Sequence, residues 1–194
     1  MKKGVRINFT LAIITVLLIV FANNSGIVNA QWGKYSTNGM KGNYISDTTS
    51  DISNEPSHPS LEITEPTLDV MLQFAIEDEY KARAEYEAII NKFGEVRPFT
   101  NIIQSEVQHI SAIIPLYTKR NMTVPQDDAE QYVVIPETLK EACEIGVQAE
   151  IDNIAMYEHF LNQKLPADVK QVFEALKSAS YNHLNAFQRC ASRY

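Results

Sequence analysis

The chain has 194 residues, a formal net charge of −7 and 45% hydrophobic side chains. That is enough for one ordinary domain with appendages. It carries no basic block or Lys/Arg stripe, which argues against a nucleic-acid partner, and its mild acidity reads as solubility. In chain order, Lys2, Lys3 and Arg6 precede an uncharged apolar run from Phe9 to Phe21, and Val28-Asn29-Ala30 offers a small-x-small cleavage site. Residues 1–30 therefore read as a secretory signal, or as an N-terminal membrane anchor if it is not cleaved, and the remainder is expected outside the cytoplasmic membrane. Residues 31–64 are rich in Ser, Thr, Asn, Gly and Pro without an apolar period, the composition of a flexible tail. His58 falls there and reads as a solvated histidine.

From Pro66 the pattern changes to helical periodicity. A first helix is expected from Pro66 to a stop at Gly94, with Leu72, Ala75, Ile76, Glu79, Tyr86 and Ile90 on its inner face. A second starts near Pro98, carries Phe99, Ile102, Ile103, Glu106, Ile110, Ile113 and Tyr117 inward, and should kink near Pro115. Residues 121–135 form a longer connection. Its acids Asp127, Asp128 and Glu130 lack the alternation of a calcium loop and read as solvated. Tyr132-Val133-Val134-Ile135 can make a short extended piece. A third helix opens at Pro136 and ends at Leu165-Pro166, with Leu139, Cys143, Gly146, Val147, Glu150, Ile154, Tyr157 and Leu161 along one face. A fourth runs from about Asp168 to the C-terminus on Val172, Leu176, Ser180, His183, Phe187 and Cys190. The expected fold over residues 66–194 is all-α, a four-helix bundle of antiparallel or crossover topology.

An internal repeat singles out the polar residues of these stripes. The first helix has Glu79 and Tyr86 in EYKARAEY, and the third has Glu150 and Tyr157 in EIDNIAMY. The spacing is two helical turns, which puts each tyrosine on the face of its carboxylate. The second helix has Glu106 and His109 in SEVQH, and the fourth has Ser180 and His183 in ASYNH. Two helices that each give one Glu, and two that each give Glu-x-x-His, make the dinuclear metal site of a helix bundle. Carboxylates neutralise and bridge the cations, and imidazoles add neutral nitrogen ligands. Buried together without a cation, three carboxylates would repel one another. The metal candidates are thus Glu79, Glu106, His109, Glu150 and His183. Tyr86 and Tyr157 read either as O–H donors to a ligand oxygen or as core aromatics with a wet hydroxyl. By helical angle Glu77, Asp152 and His159 point away from the ligand face, with Glu85, Glu87 and Glu144 to the side, and all read as solvated. Arg83, one turn from Glu79, either pairs with a ligand carboxylate or extends outward.

In order and combination, EYKARAEY, SEVQH and SYNHLNAF resemble the ligand segments of the ferritin-like superfamily, in particular its rubrerythrin-like branch. The chain is also similar to an exported ferritin-like family known mainly as a domain of unknown function. The resemblance implies two iron ions and oxidation of Fe(II) coupled to reduction of oxygen or peroxide, with a homodimer as a common assembly. Ser180 departs from it, standing where the fourth carboxylate belongs, and no Asp or Glu follows residue 176 to replace it. Glu79, Glu106 and His109 would then hold one metal, with Glu150 and His183 holding a second and Glu106 bridging. No CxxC pair follows the bundle, so turnover of peroxide would need an external reductant. The alternatives are a mononuclear or structural site for Mn or Zn, and a surface binding module. The two cysteines, Cys143 and Cys190, lie at one level of the bundle and read as a disulfide in an exported protein or as two free core thiols.

Overall fold

A computed structural model describes residues 56–194, and the expected leader and most of the expected tail lie outside the described residues. The described residues form four helices and no strand: α1 (Leu68–Phe93), α2 (Phe99–Thr118), α3 (Leu139–Leu161) and α4 (Ala167–Ala191). Two further turns of 3-10 helix span Pro59–Glu62 and Ala129–Tyr132. The fold is an all-α four-helix bundle.

The helix ends follow local chemistry. Thr67, one residue after Pro66, caps α1 by accepting the Val70 N–H at 3.4 Å, so the proline precedes the cap and does not open the helix. Gly94 ends α1 at φ 87°, a conformation open to glycine at little cost. Pro136 likewise stands before the helix it announced. Thr138 caps α3 through the Glu141 N–H, and Glu141 reaches back to the Glu137 N–H at 2.8 Å, close to a capping box. Pro115 sits inside α2 without ending it, and the helix runs on to Thr118. The stretch from Tyr132 to Ile135 is not a strand, and Tyr132 closes the second 3-10 turn.

The apolar stripes pack in layers above and below the level of Glu79. One layer joins Tyr86 and Ile89 of α1, Phe99 and Ile102 of α2, Cys143 and Val147 of α3, and Phe187 and Cys190 of α4. The rings of Tyr86, Phe99 and Phe187 lie 5.3–5.8 Å apart, pairs worth about 0.5–1.5 kcal/mol each beyond area burial. The beginnings of α2 and α3 share this layer, so these two helices run in the same direction. The connection 119–138 must return along the bundle, and it does so against α1: Tyr80 Oη donates to Pro125 O, Arg83 pairs with Asp127 at 2.8 Å, and Lys92 Nζ donates to Pro136 O at 2.7 Å. Arg83 therefore extends outward to the connection and to Glu87 and makes no pair with a ligand carboxylate. On the other side of the Glu79 level, Tyr157, Phe160 and Phe173 form a second aromatic layer. A disulfide joins Cys143 to Cys190, whose Cα atoms are 5.7 Å apart, and ties α3 to α4. No helix among the described residues is long and apolar enough to cross a membrane.

Six expectations of solvation are corrected. His58 is buried at 3% exposure, Asp152 is buried, and His159, Glu77, Glu85 and Glu144 are half-buried. For His58, Asp152 and His159 the cause is the segment 56–64, which lies on the bundle in place of trailing from it. The Ser57 N–H donates to Asp152 Oδ1 at 2.6 Å, and His159 Nε2 meets Ile63 O at 2.8 Å. Helical angle located Asp152 and His159 correctly on the outer side of α3, but it carried no information about a strap covering that side.

Candidate metal centre

Between the two aromatic layers, four helices each turn polar side chains inward. The residues Glu79, Glu106 and Glu150 are 1–3% exposed, and His183 is also buried. His109 Nδ1 lies 3.0 Å from both Glu79 Oε2 and Glu106 Oε2. His183 Nδ1 lies 3.3 Å from Glu106 Oε1 and from Glu150 Oε1. The two imidazoles stack with centroids 5.6 Å apart. Glu106 thus faces both histidines, one with each oxygen. All five residues that the sequence pattern singled out are brought together.

The tyrosines cross over. Tyr157 of α3 donates to Glu79 Oε1 of α1 at 2.9 Å, and Tyr86 of α1 donates to Glu150 Oε1 of α3 at 3.4 Å. Each tyrosine supports the other helix's carboxylate. Ser180 is buried, and its hydroxyl donates to Leu176 O at 3.2 Å.

The electrostatics show what this packing costs without a cation. Burial pushes Glu106 well above the usual carboxylate range, and the charge on Glu79 pushes it further. Burial does the same to Glu150, again reinforced by Glu79. Burial would also raise Glu79, but the hydrogen bond and charge of His109 outweigh it and hold Glu79 low. Burial alone would lower His109, yet Glu106 and Glu79 together raise it to about 10. His183 is lowered to about 4, first by burial and then by the charge on His109. A proton on His109 stands between Glu79 and Glu106 and does part of the work of a cation. The Glu150 side has no such substitute.

Two observations bear on whether a metal ion fits. Glu106 Oε1 and Glu150 Oε2 are buried without a hydrogen-bond partner. The His183 ring is near Glu106 Oε1 but not aligned to donate to it. Such orphaned carboxyl oxygens are costly unless something else satisfies them. Second, the ligand atoms fall into two sets, Glu79/Glu106/His109 and Glu106/Glu150/His183, and within each set they lie within 4.8 Å of one another. Ligands on opposite sides of one ion are about 4 Å apart, so small closure of each set reaches coordination distance. The residues fit divalent metal. The loop acids Asp127, Asp128 and Glu130 form no such set among the described residues.

Fold and site together define a helical bundle whose core carries carboxylate and histidine groups able to hold metal. Residues 68–193 match the family described as uncharacterized protein domain (DUF2202), and the chain belongs to that family. It is 32% identical over 133 residues to the uncharacterized protein MJ0754 of Methanocaldococcus jannaschii, a match over 61% of this chain and 71% of that one. The crystal structure of the hypothetical protein MJ0754 from Methanococcus jannaschii DSM 2661 superposes with a TM-score of 0.57 at 26% identity, covering 72% of this chain and 86% of the other.

Proposed function

We propose that this protein is an exported, ferritin-like dinuclear metal protein that oxidises Fe(II) at the expense of oxygen or peroxide. The observation that carries the reading is the convergence of three buried carboxylates and two imidazoles, with two carboxylate oxygens left unpartnered. The single long crossover between α2 and α3 supports the ferritin-like reading, since that connection is characteristic of such bundles. The Cys143–Cys190 disulfide supports an oxidising compartment.

Glu79, Glu106 and His109 would hold one ion, and Glu106, Glu150 and His183 the other. Bound iron would supply the electron changes and the open positions at which oxygen or peroxide reacts. The chain's own residues prepare the place. Tyr157 fixes Glu79 through its Oε1 and leaves Oε2 directed at His109. Tyr86 holds Glu150 by Oε1, the oxygen that also faces His183, and leaves Oε2 without a partner. His109 must give up its proton on binding, so metal uptake releases protons. The aromatic layers on both sides keep bulk water from the site and strengthen its charge interactions.

Anaerobic Fe(II) titration followed by oxygen should give Fe(III) and oxygen consumption at about two irons per chain, lost in His109→Ala. A stoichiometry clearly below one iron per chain rejects the reading. Ser180 favours a second reading, in which only Glu79, Glu106 and His109 hold a Mn or Zn ion without turnover. One metal per chain and no oxygen uptake would select it.

A further inference from the structure

Segment 56–64 packs on the outer side of α1 and α3, directly behind the two helices that each supply a single glutamate. The strap is anchored to both of those helices. On α3, Asp152 accepts the Ser57 N–H at 2.6 Å and the Ser57 hydroxyl at 3.2 Å, and Gln148 also donates to Asp152 at 3.1 Å. His159 meets Ile63 O at 2.8 Å, and Gln163, just past α3, donates to Thr64 O at 3.5 Å. On α1, His58 Nε2 lies 3.8 Å from Asp78 Oδ1, and its ring meets the Phe74 ring edge-on at 5.5 Å. The strap holds its own shape through His58 Nδ1, which caps the 3-10 turn by accepting the Ser60 N–H at 3.1 Å and meets Ser60 Oγ at 2.7 Å. His58 and Ser60 are both buried. A surface tail would have no use for a buried, capped histidine between two helices.

The two metal sets differ in what must stay in register. Glu79, Glu106 and His109 all belong to the α1–α2 hairpin. Glu106, Glu150 and His183 draw on both hairpins, and the disulfide stiffens only the α3–α4 side. The placement of α3 against α1 decides whether Glu150 can meet Glu106. The strap's anchors Asp78 and Asp152 sit one and two residues from Glu79 and Glu150. We infer that the strap 57–64 is a positioning element for the metal position that bridges the hairpins, with Ser57 and His58 as its positioning residues. This inference rests on the metal reading above and deepens it: the same site has one position built into a hairpin and one that the strap maintains.

The test is Co(II) binding to the full chain by calorimetry and visible absorption, with melting recorded for every variant. Wild type should show two binding steps, one of which His183→Ala abolishes. Ser57→Pro removes the N–H that Asp152 accepts, and His58→Ala removes the contacts to Asp78 and Phe74. Both changes lie outside the four helices. Each should weaken the step identified by His183→Ala by about tenfold, the usual effect of losing support behind a ligand, and leave the other step unchanged. Asp152→Ala should do the same, whereas Asp152→Asn, which still accepts from Ser57, should largely restore it. Equal weakening of both steps, or of neither, overturns the inference while the metal reading stands. A wild type that takes up a single Co(II) insensitive to His183→Ala also overturns it. A wild type that binds no Co(II) rejects the metal reading and the inference together.

Discussion

At the scale of single residues, the metal-free protein is a compromise among protons. His109 keeps its proton up to about 10, against 6.5 for a free imidazole. A raised folded-state value means that its stabilisation is complete below about pH 6.5 and is lost as pH climbs through about 10. Glu106 and Glu150, both raised, act in the same sense from the ordinary carboxylate range upward. His183, lowered to about 4, acts in the opposite sense, but only below 6.5. Melting temperature of metal-free protein should therefore fall from pH 6.5 to 9, and excess Mn(II) should remove the fall because metal competes for the same positions as the protons. Metal-free melting that is flat with pH would contradict this. Ser180 allows a second comparison. In Ser180→Glu, a fourth carboxylate enters a site that already repels Glu106 and Glu150, so the metal-free form should melt lower than wild type. The metal-loaded form should bind its second ion more tightly, by about tenfold. Calorimetry with Mn(II) reads both effects, and weaker binding of the second ion would show that Ser180 is not beside that position.

At the scale of elements, close approach and cross-linking decide the outcome. A Cβ on Gly146 would lie 2.6 Å from Phe187 Cδ1, and that ring is fully buried between Tyr86 and Phe99. Alanine favours a helix over glycine by about 1 kcal/mol, but overpacking costs about 1–3 kcal/mol. Gly146→Ala should lower stability by up to about 2 kcal/mol in urea unfolding, and a stabilised variant would show that the ring can move aside. The disulfide spans 47 residues of sequence, for which loop entropy gives about 4 kcal/mol. Cys143→Ala with Cys190→Ala should lose a large part of that in denaturant midpoint, with metal content retained, because neither sulfur is a ligand candidate.

At the scale of the whole molecule, metal and fold are one equilibrium. Free Co(II) at a hundred times its dissociation constant should add about 2.7 kcal/mol per site, and a chelator should remove it. No shift in melting on chelation of metal-loaded protein would mean that the core tolerates its acids by other means. Much of this was legible in the chain itself. Helix number, the inward stripes, Gly94 as a stop and the five candidate ligands follow from periodicity, because a side chain's direction on a helix is fixed by its position along it. The level of Cys143 with Cys190 follows likewise from their spacing about Glu150 and His183. Periodicity stops at the surface of one helix. It could not show that Tyr86 serves Glu150 and Tyr157 serves Glu79 instead of each supporting its own neighbour. Nor could it choose the crossover over the antiparallel form. It also missed that His58, in a stretch of tail-like composition, is buried against α1, and that Asp152 and His159 have partners on the side turned from the core. Those contacts join segments far apart in sequence, and only the packing of four helices and a strap in three dimensions brings them within hydrogen-bond reach.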